Sequence, residues 1–336
     1  MGSHRRFAPS GFDRGAVCVL STTAAALGAL SAAVPTQAAP YDDTRAEVDR
    51  LYEEAEKATE AFNKAGERAG TLRRQVGDAQ DRIARQQAHI NDLRAHLGAL
   101  AGAQYRSGGL DPSLALLFSE DPDDYLDTAA VLDRITLHQA GELKDLQDAL
   151  RELGQERAEA TRKLGELEKS RKAVARHKRT VEQKLAQARR LLNSLPSAER
   201  AAYDRASRSG RMPGLGDAAP ASGRAAAAVA AARSALGRPY VWGANGPSGF
   251  DCSGLTQWSY AQAGVSLPRT SQAQAHAGRR VPLSQARPGD LVTYRSDASH
   301  VGMYVGNGQV IHAPYPGAPV RYDPVGMMPV SAVTRP

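Results

Sequence analysis

Cysteine is almost absent from this chain: 336 residues carry two, Cys18 and Cys252. From residue 225 onward there is neither lysine nor glutamate; the charge there comes from nine arginines and four aspartates. The first scarcity allows at most one intrachain disulfide, and the leading segment decides whether even that survives. His4, Arg5, Arg6 and Arg14 precede the apolar, small-residue run "GAVCVLSTTAAALGALSAAV", and "PTQAAP" offers Thr36 and Ala38 for cleavage. This pattern reads as an export signal over residues 1–38, cut near Ala38. The run has about the length of a membrane span, ~20 residues, but its Ala, Gly, Ser and Thr make it weakly apolar for an anchor. Val17 stands where a lipid-attachment site wants a small residue, so no lipid anchor is expected. Cys18 leaves with the signal. Cys252 then remains alone in a secreted chain, as an intermolecular bridge or a reactive thiol.

Charge narrows the partners. Without residues 1–38 the chain holds 40 basic and 35 acidic residues. Residues 41–209 are balanced, 29 against 30, so the basic excess sits in the C-terminal part. Nucleic acid is a poor partner for an exported chain, whereas an anionic matrix such as a cell wall suits that excess.

What is abundant is helical periodicity. Val48, Leu51, Ala55, Ala58, Phe62, Ala65, Ala69, Leu72, Val76, Ala79 and Ile83 step by threes and fours, and Ile90, Leu93, Leu97 and Leu100 continue the series. A second series runs Leu143, Leu146, Leu150, Leu153, Ala160, Leu164, Leu167, Val174, Val181, Leu185, Ala188, Leu192 and Leu195. Both are heptad seams. Between them "SGGLDPSLALLFSEDPDD" breaks helix and turns the chain, with Leu110, Leu114, Leu117 and Phe118 over the turn. The expectation is an antiparallel coiled-coil hairpin over 41–195, with arms of about 90–100 Å. An intermolecular coiled coil is the other solution. The hairpin is expected to carry no site chemistry. Residues 196–224, rich in Pro, Gly, Ser and Ala towards their end, read as a flexible linker.

The last segment, 225–336, is built differently. "AAAAVAAARSALG" reads as a helix ended by Gly237, "RPYVWG" as a short extended stretch, and "LTQWSYAQAG" as a helix closed by Gly264. Cys252 falls in the first turn of that second helix, where unpaired N–H groups and the dipole favour a thiolate. Asp251 is placed to cap it. Downstream, "DASHVGMYVGNGQVIHAP" reads as two strands joined at Asn307-Gly308. A two-residue loop would set Met303 opposite His312 and send His300 and His312 to opposite faces. A three-residue loop, Gly306-Asn307-Gly308, sets Gly302 opposite His312. Val301, Met303, Val305, Ile311 and Ala313 then share an apolar face, and both histidines share the other. The second register is the better one, with Gly308 as the left-handed residue of a bulged turn.

A thiol at a helix start and two histidines on one strand face form a nucleophile, base and orienter set. "DCSGLTQW", "HVGMYVGNG" and "IHAP", with "PYVWG" before the first and "RPGDLV" before the second, resemble the NlpC/p60 family of papain-like cell-wall cysteine peptidases over about residues 225–324. The resemblance implies an α+β, papain-like catalytic domain following the helical hairpin. It also implies Cys252 as nucleophile, His300 as base, His312 as the residue orienting it, and Tyr240 lining the oxyanion site. Asp251 and Ser253 flank the nucleophile as substrate-side candidates. The implied reaction is cleavage of peptidoglycan stem peptides at the γ-D-glutamyl–diamino acid bond, with no cofactor and no metal. Ala244 departs from the family, where a second glycine often follows "YVWG". Cys252, His300 and His312 could just supply three zinc ligands, but the motif order favours thiol chemistry. An amidase or acyltransferase on the same core is one competing function. A scaffold whose hairpin binds division or export machinery is another. The hairpin itself reads as a restraint that limits access to Cys252, or as a docking arm for a regulatory protein.

Overall fold

The computed structural model describes residues 41–106, 122–208 and 219–336. The export segment, the turn holding Leu110, Leu114, Leu117 and Phe118, and positions 209–218 of the linker lie outside the described residues.

Two long helices open the described chain: α1 (Asp42–Arg106, 65 residues) and α2 (Pro122–Ser194, 73 residues). They pair antiparallel. Glu54 meets Lys184, Ala65 meets Ser170, Arg68 meets Glu166, Arg82 meets Glu156 and Gln86 meets Ala149, so partners fall in number as α1 rises. The seam is tightest at the base, where Val48, Leu51, Ala55, Val181, Leu185 and Ala188 are buried together. A smaller cluster, Ile90, Ala149 and Leu153, closes it further out. The second seam needs correction. Leu143, Leu150 and Leu164 are 50%, 40% and 48% exposed, so they lie off the contact stripe. Two helices can bury only one stripe each, and α2 spends its stripe on Ala149, Leu153, Ala160 and Val181.

The linker expectation also changes. Its first part forms helix α3 (Ser197–Arg208), held to α1 by an Arg45–Glu199 ion pair and a Tyr203–Asp49 hydrogen bond of 2.7 Å. Composition alone did not distinguish this docked helix from flexible chain.

The C-terminal part is a mixed layer structure. Helices α4 (Gly223–Ser234) and α5 (Cys252–Gln262) pack on one face of a six-stranded antiparallel sheet. A short helix, α6, spans Ser271–Gln274. The strands are β1 (Arg279–Arg280), β2 (Leu291–Tyr294), β3 (His300–Gly306), β4 (Gln309–His312), β5 (Arg321–Pro324) and β6 (Val330–Arg335), in the order β1-β6-β2-β3-β4-β5. Ser222 caps α4 through Ala225 N–H, and Gly264, at φ 73°, closes α5 in the left-handed conformation that glycine takes without penalty.

Strand parity works as expected, by a slightly different device. Met303 pairs with Ile311 and Tyr304 with Val310, which sets Gly302 opposite His312. The turn itself has two residues, Asn307 and Gly308, at φ 52° and 65°. Both left-handed angles match the mirror-image turn that right-twisted hairpins favour. The register shift between Tyr304 and Gly306 absorbs the extra residue as a bulge at Val305. Val301, Met303, Val305, Ile311 and Ala313 consequently join the helices in the core. Val292, Tyr294, Val310 and Val333 form the apolar cluster on the other face.

Candidate active site

Cys252 is the first residue of α5 and is 1% exposed. Asp251 caps the helix, its Oδ1 accepting from Gly254 N–H at 2.7 Å. The rest of the Asp251 carboxylate is also engaged, accepting from Arg269 at 2.9 and 2.6 Å, from Gly243 N–H at 3.0 Å and from the Asn63 amide at 3.1 Å. So Asp251 is a buried structural anchor, and its oxygens are spent on the protein rather than turned to a substrate. Gly254 allows the approach: a Cβ there would meet the Ala244 carbonyl oxygen at 2.2 Å.

The structure brings Cys252, His300 and His312 together. The Cys252 Sγ and a ring nitrogen of His300 lie within 4.8 Å. His300 Nε2 and His312 Nδ1 are 2.8 Å apart, their rings nearly perpendicular at 89°. His312 Nε2 in turn lies 2.8 Å from Asp323 Oδ2 on β5. Burial pushes His312 down to about 4, against the pull of Asp323, so it is neutral. Both ring nitrogens of His312 are committed, which removes it from any metal-ligand set. Tyr240 is 6% exposed in the same cluster as Cys252, and its hydroxyl has no hydrogen-bond partner among the described residues. Ser253 donates to Glu60 at 2.6 Å and accepts from Arg269 at 2.9 Å.

The largest departure from the sequence reading is on α1. Glu56, Glu60 and Asn63, spaced to share one helix face, run into the cysteine site. Glu56 is 2% exposed; one oxygen pairs with His300 Nδ1 and the other with Arg295 at 2.7 Å. Glu60, also 2% exposed, lies 3.7 Å from Cys252 Sγ and accepts from Ser271 N–H at 2.8 Å. Aromatic contacts flank these carboxylates. Phe62 meets Trp242 edge-on at 5.3 Å, and Tyr52 stacks on Tyr315 at 5.0 Å. A helix expected to carry no site chemistry therefore occupies the site.

That occupancy changes the electrostatics. Burial pushes the Cys252 thiol well up, and the neighbouring Glu56, Glu60 and Asp251 push it further. The sequence argued for a thiolate at a helix start; with α1 docked, burial and the carboxylates together outweigh the helix end. Burial raises Glu56, but His300 and Arg295 outweigh it and hold the carboxyl below its usual range. Glu60 has less compensation: burial first, then Asp251, push it up to about 7. Glu56, Cys252 and His300 do cluster an oxygen, a sulfur and a nitrogen. The direct Glu56–His300 bond and the Arg295 cation beside it make that cluster a complete ion pair as it stands.

In sequence, the only sign of Glu56 and Glu60 was a second, acidic stripe beside the apolar one, which also describes a solvated face. Asp323 gave no sign, since only strand pairing carries it next to His312.

Residues 237–332 match the NlpC/P60 family. A probable endopeptidase of Mycobacterium tuberculosis is 50% identical over 118 residues, which is 34% of this chain and 31% of that protein. The probable endopeptidase p60 of Listeria monocytogenes is 56% identical over 97 residues, 28% of this chain and 20% of that one. These curated relatives are thus matched over less than a third of their own length. Among solved structures, the NlpC/p60 domain of the peptidoglycan hydrolase SagA is 40% identical, with 33% of this chain covering 98% of it at a TM-score of 0.32. The sequence match and the motifs around Cys252, His300 and His312 make the C-terminal part of this chain an NlpC/P60 family domain.

Proposed function

We propose that the protein is an exported cysteine endopeptidase that cuts peptidoglycan stem peptides, made latent by its own helix α1. The observation that carries this reading is the placement of Cys252 at the start of α5, beside His300 and backed by His312. With α1 withdrawn, the Cys252 S–H proton passes to His300 Nδ1. The thiolate attacks the scissile carbonyl, forming a C–S bond, while the Tyr240 hydroxyl, which has no hydrogen-bond partner among the described residues, donates to the developing oxyanion. The C–N bond then breaks as His300 returns the proton to the leaving amine. Water, deprotonated by His300, cleaves the acyl-enzyme and restores the thiol. The γ-D-glutamyl–diamino acid bond is the proposed target, residues 1–38 direct export, and the cell wall is the site of action. His300 and His312 act as base and orienter.

Latency follows from the same atoms. Glu56 covers the nitrogen that would take the thiol proton, and Glu60 faces the sulfur. A regulatory protein that draws the helical pair away would expose both. The test is digestion of purified cell wall by Glu56→Gln, a change that frees α1, and by Glu56→Gln/Cys252→Ala, beside the latent parent, with mass spectrometry of the products. Release of fragments cut at the γ-D-glutamyl bond by Glu56→Gln, faster than by the parent, supports the reading. No release by Glu56→Gln, equal release by the double variant, or cleavage only at an amide joining glycan to peptide, overturns it.

A further inference from the structure

Asp323 lies on the strand beyond His312 and was not among the sequence candidates. Strand β5 pairs with β4 so that Arg321 faces His312 and Asp323 faces Val310. Asp323, Val310 and His312 therefore share a sheet face, and Gly302 opposite His312 puts His300 there too. The result is a chain of hydrogen bonds across three strands. Asp323 Oδ2 takes His312 Nε2 at 2.8 Å and Arg321 Nε at 2.7 Å, and His312 Nδ1 meets His300 Nε2 at 2.8 Å.

We infer that Asp323 is a positioning residue that fixes the direction of this whole chain, and thereby both arms His300 as a base and lets Glu56 clamp it. The inference rests on the cysteine-peptidase reading above. A carboxylate accepts and cannot donate. His312 Nε2 must then carry its proton, and the neutral ring leaves Nδ1 as a lone pair. That lone pair can only accept, so His300 Nε2 must be the donor. His300 Nδ1 is the one nitrogen left free to gain or lose a proton. With α1 away it is an open lone pair, available to the thiol. With α1 docked it faces the Glu56 carboxylate, which also accepts only, so His300 is protonated on both nitrogens. One aspartate thus dictates a base in the open enzyme and a cation for the clamp in the closed one.

An asparagine at 323 reverses this polarity. Arg321 Nε would claim the amide oxygen, turning the amide N–H₂ to His312 Nε2. His312 would carry its proton on Nδ1, and His300 Nε2 would have to accept. The proton of neutral His300 would then sit on Nδ1, where it blocks uptake from the thiol.

The experiment compares Asp323 with Asp323→Asn and Asp323→Glu by wall hydrolysis, all in the full chain carrying Glu56→Gln so that α1 does not hold the site shut. The parent and the same variants are compared by nitrogen-15 NMR of the histidine rings. The parent should show His312 protonated on Nε2 and bare on Nδ1, a result independent of whether any variant folds. Asp323→Asn should lose roughly 10²–10⁴-fold in kcat with KM little changed, as expected for a wrong imidazole tautomer. Its ring signals should show the proton of His312 moved to Nδ1. Asp323→Glu should recover part of the rate. A parent His312 protonated on Nδ1, or an Asp323→Asn enzyme with parental kcat, overturns the inference. So does a loss of kcat with both tautomers unchanged, which would make Asp323 only structural. Cys252→Ala separates the two levels. Parental hydrolysis by that variant would sink the proposed function itself, whereas an inactive Cys252→Ala beside a fully active Asp323→Asn would sink only the role of Asp323.

Discussion

Replacing Glu60 by glutamine tests how α1 is held. Glu60 is buried against Asp251, Arg269, Cys252 and the Ser271 N–H, and in the docked state it is pushed up to about 7. In an undocked, solvated α1 it titrates at the ordinary carboxylate value of about 4.3. The docked state therefore binds an extra proton between those two values. Docking is strongest below about pH 4.3, weakens as pH rises, and levels off above about 7. A difference of about 2.7 pKa units corresponds to about 3–4 kcal/mol, or roughly 10²–10³-fold in the ratio of docked to undocked chains. Glutamine keeps an acceptor for Ser271 N–H and can donate to Ser253, but it has no charge to desolvate. The assay is modification of Cys252 by a methanethiosulfonate reagent from pH 4.5 to 8.5, read on the peptide bearing Cys252. Taking the ratio of parent to Glu60→Gln rates cancels the ionisation of the thiol itself. That ratio should be near one at pH 4.5 and should climb towards roughly 10²–10³ above pH 7. A ratio that is flat with pH, or below one at pH 8, would refute the reasoning. Glu60 would then be holding α1 as an anion through Arg269 and its two hydrogen-bond donors.

Glu56→Gln should act in the opposite direction to Glu60→Gln. It leaves Arg295 and His300 without their carboxylate, and breaking one partner of a buried pair costs about 3–5 kcal/mol, so Cys252 should be modified at least tenfold faster at pH 7. Cys252→Ala and His300→Ala should each abolish wall hydrolysis with an unchanged circular dichroism spectrum, while His312→Ala keeps measurable turnover because orientation is a smaller contribution than nucleophile or base. Gly302→Ala sets a Cβ 3.2 Å from the His312 Cβ, and it should slow hydrolysis by tilting that ring while thermal stability changes by no more than about 1–3 kcal/mol. EDTA should leave hydrolysis unchanged, whereas iodoacetamide should stop it; loss in EDTA restored by zinc would revive a metal reading.

The sequence by itself determined the elements and much of the candidate site. Heptads of apolar residues dictate long amphipathic helices, and a break rich in Gly and Pro between them allows an antiparallel pair, but only the packed structure set the pairing within one chain and which stripe of α2 is buried. Asp251 before Cys252 specifies a helix start, because a cap acts over three residues. Alternation across Asn307-Gly308 fixed which residues face the core, and with it the meeting of His300 and His312. All of these are local rules with a short reach. Tertiary structure decided what lies far apart in the chain. Glu56 reaches His300 across 244 positions and Glu60 reaches Ser253 across 193, and no local preference distinguishes those glutamates from solvated ones. The same holds for α3, whose attachment depends on Arg45 and Asp49 of α1, contacts that composition cannot see. The charge state of Cys252 was decided there too. A helix end favours a thiolate by a fixed, modest amount, but burial and three carboxylates raise the thiol by more, and only the packed arrangement says which prevails.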